Sequence, residues 1–366
     1  MIFGIDVSTY LEELAHGAKF YDEAGEVDPL DAFIENGVSY MRIRLWNDPH
    51  SPQGEPYLAG SCDLNHYITL GKLAKSKGFH LFLDLHYSDF WADPNKQITP
   101  KAWTEYNLDE LTDAVYEFTK ECLIKAKDED VLPELIQVGN EITNGILWPV
   151  GKIDRESGSD PDYSNFLRLL KAGIRACREI APKAKLMLHI ERSHDAALYQ
   201  EFFGKMEEAG VDYDVIGASY YPYWHGTPEE LFANLTGCRR FGKEIMIAEM
   251  GYGFIDEPYQ LDDGKEYYVF DSKRVCVPGF TEKYPMSPEG QVAFLRDFLS
   301  EAKATGVDGV FYWEPLWIPG KGICWTSEAG QGYIHEEGKP IANEWANQCL
   351  FDYEGRKLPG FDEYKP

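Results

Sequence analysis

Short apolar runs alternate with amphipathic stretches from one end of the chain to the other. Strand-like runs fall at residues 2–7, 40–46, 80–85, 135–138, 185–190, 215–219, 245–248 and 309–313. Continuous apolar runs of this length predict strands buried on both faces, the pattern of a parallel sheet covered by helices. Helical spacing of apolar residues appears between them at 68–76, 108–125, 165–180, 196–208, 228–235 and 289–304, with a closing helical stretch near 343–350. Thr227-Pro228 and Ser287-Pro288 each set a capping hydroxyl before a proline, which predicts helix starts. Eight alternating units with no Gly-rich dinucleotide turn predict an α/β fold, a (β/α)₈ barrel rather than a doubly wound open sheet. The 366 residues exceed the ~250 of a plain barrel, so insertions are expected in its loops. No repeat or linker interrupts the pattern, and a single catalytic domain over residues 1–366 is expected.

Two long connections, 47–65 and 251–285, leave the carboxyl ends of predicted strands. In a barrel that end is the catalytic face. The fourth run closes in Gly139-Asn140-Glu141 and the seventh in Ala248-Glu249. A charge beside a buried apolar run is costly unless it is paired or used. Each Glu alone could cap the next helix or bridge at the rim; two, three units apart, point to a pair facing each other across the barrel mouth. Glycoside hydrolysis needs such a pair, one carboxyl as proton donor and one as base or nucleophile.

Other strand ends carry groups suited to sugars. Arg42 and Arg44 share one face of the second strand, and Arg44, nearer its end, is the candidate to bond a nucleophilic carboxylate. The third strand ends in a loop with His86, Asp89 and Trp91; the sixth carries Ser219, Tyr221, Trp224 and His225; the eighth ends in Trp313. A lone aromatic is more often core than platform, but clusters at successive strand ends favour a cleft. Tyr220 and Tyr223 stand beside Tyr221 as alternatives. No GxSxG elbow, phosphate loop or HExxH is present.

The net charge of −27 argues against nucleic acid and anionic membranes and favours a neutral ligand; with the sugar-suited strand ends, a neutral polysaccharide or oligosaccharide is the expected partner. Seven scattered cysteines without CxxC spacing suggest neither a disulfide framework nor a zinc site. No apolar stretch reaches the ~20 residues of a membrane helix. The opening MIFGIDVS enters a strand directly, so a cytoplasmic location is expected, or a secreted one if a signal peptide has been removed. A monomer is expected.

Together these segments resemble glycoside hydrolase family 53, the endo-β-1,4-galactanases. The resemblance runs nearly the whole chain, through Asp6-Val7-Ser8, Arg42-Ile43-Arg44-Leu45-Trp46, HYSDxWADP from His86, QVGNEITNG from Gln137, YPxWHG from Tyr221 and Tyr312-Trp313-Glu314-Pro315. It implies a retaining double displacement with Glu141 as acid/base, Glu249 as nucleophile and Asn140 on the 2-hydroxyl of the attacked sugar. It further implies Arg44, His86, Tyr221 and Trp313 around the nucleophile and the −1 sugar, and Trp91 and Trp224 as platforms. No cofactor is implied. Some bacterial members hold calcium in a loop after strand seven; segment 251–285 lacks that spacing, and no metal is expected. His189-Ile190-Glu191-Arg192 departs from the family pattern and sets an acid and a cation near the substrate path. A related barrel glycosidase acting on another glycan, or a non-catalytic glycan-binding protein, are the alternatives.

Overall fold

The structure, a computed structural model, describes residues 1–155 and 160–366. Eight parallel strands close into a barrel: β1 (Ile2–Asp6), β2 (Tyr40–Leu45), β3 (His80–Leu85), β4 (Leu135–Val138), β5 (Lys185–Ile190), β6 (Val215–Tyr220), β7 (Glu244–Met250) and β8 (Gly309–Trp313). Each pairs with its neighbours in sequence, and β8 returns to β1. These are the eight runs read from the sequence, and the barrel is the fold expected from them. Among the described residues no helix is long and apolar enough to cross a membrane.

Helix ends follow local chemistry. Thr227 accepts from the Glu230 amide and Ser287 from the Gly290 amide, so both proline-led starts form as expected. Leu64–Lys77 begins earlier than its apolar spacing indicates because the Asp63 carboxylate caps it. The closing stretch near 343–350 is not a helix; it holds only the short turn Ala346–Gln348. Asn343 and Asn347 spend their side chains on loop carbonyls, of Trp317 and of Ile255 and Phe270, which favours irregular backbone over helix. The short helix Pro359–Glu363 packs beside Pro288–Ala304 instead, with Phe361 against Phe33 of helix Pro29–Glu35.

The barrel interior is layered. Phe82, Leu135, Met187, Val215, Met246 and Phe311 fill its amino-terminal half with apolar side chains. Gly4 makes room for them: a Cβ there would lie 2.2 Å from the Phe311 ring. Above this plug the inward positions turn polar, with Asp6, Arg42, Asp84, Gln137 and His189, all buried.

β7 departs from simple alternation at the decisive point. Ala218 pairs with Ile247 but Ser219 pairs with Glu249, so β7 carries one extra residue against β6, and it does so against β8 as well. Met246 and Ala248 pack in the interior cluster, and Glu249 follows directly into the polar layer. A bulge of this kind re-aims a side chain. Without it the alternation that turns Ala248 inward would turn Glu249 out.

Candidate active site

At the carboxyl ends of the strands a cavity of about 490 Å³ opens, lined by both Glu141 and Glu249. The backbone there is strained. Tyr87, Glu141, Arg192 and Glu314, all just past strand ends, have φ near +50°, a left-handed conformation that is rare for such residues and clusters at functional sites. Glu141 makes no capping bond with its side chain to the turn it precedes, Ile142–Asn144.

The two carboxyl groups sit in different surroundings. Glu249 is buried, with Arg42 Nη2 2.8 Å from one oxygen and the Tyr221 hydroxyl donating to the other at 3.0 Å. Burial pushes its pKa up to about 7, with Arg42 pulling the other way. Among the described residues no cation pairs with Glu141; its Oε1 lies 2.6 Å from Ser219 Oγ. Burial first, then the charges of Glu249 and Glu191, hold its pKa well above the usual carboxyl range. One carboxyl is thus fitted to keep a proton and its neighbour to lose one, the division of roles that acid–base chemistry at a single site needs.

Arg42 takes the part expected of Arg44. Arg42, not Arg44, reaches Glu249 and also bonds Asp6 at 2.8 Å and Asp84 at 2.9 Å. Arg44 lines the cavity but pairs with Glu314 at 2.6 Å and donates to the Ala59 carbonyl. Arg42 lies one inward position deeper, level with the polar layer toward which the bulge in β7 turns Glu249.

His86 lines the cavity with both ring nitrogens engaged: Nδ1 accepts from the Trp46 indole and the Ala92 amide, and Nε2 faces Asp84 at 2.9 Å. Asn140 Nδ2 donates to the Ala92 carbonyl, and Asn140 borders the cavity. Tyr221 is the tyrosine on Glu249; Tyr220 bonds the Gly226 carbonyl and Tyr223 bonds Gln348. His225 Nδ1 accepts from the Tyr221 amide, and burial lowers its pKa to about 3, so it braces that turn as a neutral ring. Trp224, 49% exposed, is an open face on the cavity. Trp313 forms a wall, whereas Trp91 is sandwiched, stacked on Trp325 at 4.5 Å with the Arg44 guanidinium 4.6 Å from its ring. Asp89 is not at the cavity. It accepts from the Asp48 and Lys101 amides and from Lys101 Nζ, tying two loops together.

Several lining residues escaped the sequence reading. Trp325, Trp345 and Phe270 come from long connections with no strand-end position to mark them. Phe270 belongs to the flagged segment 251–285; segment 47–65 packs behind Arg44 instead of lining the cavity. Glu191 and Arg192 do line it, and Thr143 donates to Glu191. Among the described residues no group of three or more His, Cys, Asp or Glu is arranged to hold a metal ion.

A closed parallel barrel with two unlike carboxyl groups in one aromatic-walled cavity on its carboxyl face defines the class of barrel glycoside hydrolases. The chain belongs to glycosyl hydrolase family 53, whose model matches residues 2–364. It is similar to the catalytic domain of a family 53 protein from Ignisphaera aggregans, with a TM-score of 0.88 and 37% identity over 99% of this chain and 95% of that one. It is also 37% identical to a protein of the bgaB 5' region of Niallia circulans, over 100% of this chain and 93% of the relative. The endo-beta-1,4-galactanase of Bacillus subtilis (strain 168) is 34% identical over 100% of this chain and 85% of its own length.

Proposed function

We propose that the protein is an endo-acting, retaining hydrolase of β-1,4-galactosidic bonds in galactan, arabinogalactan or the oligosaccharides derived from them. The family, and the activity named for the Bacillus subtilis relative, support the substrate class. Glu141 protonates the leaving oxygen while Glu249 attacks the anomeric carbon. In the second step Glu141 takes a proton from water, which displaces Glu249 and restores the configuration. Arg42 and Tyr221 orient the nucleophile, Asn140 offers its second amide hydrogen to the attacked sugar, and Trp224 and Trp313 stack against sugar faces.

The observation that carries this assignment is the asymmetry of the pair: a guanidinium and a phenol on Glu249 and, among the described residues, neither on Glu141. The test is a digest of linear β-1,4-galactan with product sizes and anomeric configuration followed by NMR. Internal cleavage with retained configuration is expected, and Glu141→Gln and Glu249→Gln each lose several orders of magnitude in turnover. Preference for mannan or cellulose overturns the substrate; full activity in either variant overturns the residue roles.

A further inference from the structure

We propose that His189 and Ser219 hold Glu141 in its protonated form before each turnover, through a chain of hydrogen bonds that runs one way from Asn140 and leaves Ser219 able only to accept from Glu141. The inference deepens the acid/base role of Glu141 and rests on that reading.

The chain is fixed by counting hydrogens. His189 is fully buried, with Nδ1 3.1 Å from Asn140 Oδ1 and Nε2 2.8 Å from Ser219 Oγ. The Asn140 amide has one tenable orientation. Its Nδ2 donates to the Ala92 carbonyl, and its Oδ1 accepts from Gln137 Nε2 at 2.9 Å and faces the cationic Arg42 Nη2 at 3.1 Å. The Gln137 amide cannot be reversed either, since its nitrogen is 2.6 Å from the Asp84 carboxylate. Asn140 therefore presents an oxygen to His189, and Nδ1 must carry the hydrogen between them.

A ring already protonated at Nδ1 takes a second hydrogen only by becoming charged. Burial opposes that first and Arg42 next, while Asp84 favours it. His189 is accordingly neutral, its Nε2 is a bare acceptor, and the single hydroxyl hydrogen of Ser219 points to it. The oxygen of Ser219 then meets Glu141 Oε1 at 2.6 Å with lone pairs only, and the shared hydrogen belongs to the carboxyl. Of the other groups facing Glu141, Glu249, Glu191 and Asp93 are acidic and favour the same state, and burial keeps the phenols of Tyr221 and Tyr199 neutral.

The arrangement serves both halves of the reaction. When Glu141 gives its proton to the leaving oxygen, the Ser219 hydroxyl must turn from Nε2 to the new carboxylate, leaving two lone pairs opposed at the His189 contact. That cost keeps the carboxylate strongly basic toward water, and its reprotonation lets the hydroxyl turn back. His189 and Ser219 are positioning residues; neither need touch the sugar.

The test reads the relay without substrate. In the ¹⁵N-histidine NMR spectrum of the whole protein, the His189 signals are identified by their loss in His189→Gln and their displacement in Ser219→Ala. A neutral ring with hydrogen on Nδ1 at neutral pH is expected. An imidazolium, or hydrogen on Nε2, overturns the proposal, whatever the protein hydrolyses. The second arm is the alkaline limb of kcat/KM on galacto-oligosaccharides. Ser219→Ala moves it down by about one pH unit, the worth of one hydrogen bond, and Ser219→Thr restores it. A donating serine would stabilise the carboxylate, so an upward or absent shift overturns the relay. No activity in the parent protein defeats the proposed function instead and leaves the NMR result standing.

Discussion

Arg42 Nη2 stands 2.8 Å from Glu249 Oε1, while Arg44, two residues along the same face of β2, meets Glu314 at 2.6 Å. One buried guanidinium thereby joins Glu249 to Asp6 and Asp84 and sets the height of the Glu249 carboxyl in the barrel. Its planar fork reaches several carboxylates at once, which a lysine cannot.

Arg42→Lys is therefore expected to lower kcat by about 100-fold or more and to move the acidic limb of the pH profile up, since one ammonium cannot stay on Glu249, Asp6 and Asp84 together. Arg44→Lys leaves that limb in place. Arg42→Ala strands buried carboxylates and costs about 3–5 kcal/mol in urea unfolding. Equal limb positions in the two lysine variants would show that the guanidinium does not set the nucleophile.

The pH dependence of kcat/KM follows from the pair. With the proposed roles, activity is expected to rise with pH as Glu249, pushed up to about 7 by burial, ionises, and to fall at higher pH as Glu141 loses its proton. Because the Glu249 charge helps to hold the Glu141 proton, Glu249→Gln is expected to lower the Glu141 pKa, read by carboxyl ¹³C titration. A Glu141 titration unchanged in that variant would disconnect the two groups.

Thr9 Oγ1 lies 2.6 Å from Glu13 Oε1 and 2.8 Å from Glu314 Oε2, and one hydroxyl hydrogen cannot serve two carboxylates. Glu13 is the protonated partner: burial, then the Glu314 charge, raise its pKa well above the usual range. The folded protein thus keeps a proton that the unfolded chain releases above about pH 4.5, and this contribution to stability, full at lower pH, is lost as pH rises toward the folded pKa, at ~1.4 kcal/mol per unit. Glu13→Gln is expected to gain in Tm relative to the parent between pH 5 and pH 8. A difference that stays constant across that range would place no proton on Glu13.

Trp224 and Trp345 both line the cavity but differ in burial, 49% against 2% exposed. Trp224→Ala removes a stacking face of ~1–2 kcal/mol by area, about 5–30-fold in kcat/KM on long galactan, with Tm unchanged. Trp345→Ala empties a packed site against Trp313 and Tyr221 and costs about 3–5 kcal/mol of stability. Calorimetry and product sizing separate the two, and a fall in Tm for Trp224→Ala would make it a core residue.

Periodicity made the barrel legible. Eight buried strands need eight apolar runs, and local caps such as Thr227 and Ser287 start helices wherever they fold. The segment near 343–350 misled because its apolar spacing reflects packing under loops, with Asn343 and Asn347 holding backbone from distant segments. Trp325 and Trp345 were hidden for the same reason: nothing local distinguishes a cavity wall from core.

The sequence by itself determined the strands, their order and the two glutamates at their ends, since each follows from neighbours a few residues apart. Only the tertiary structure decided that Arg42 rather than Arg44 meets Glu249, that Asp89 braces loops away from the cavity, and that Glu249 faces inward at all. Those outcomes depend on the register between strands and on one extra residue in β7, and register is set by long-range packing that no local pattern encodes.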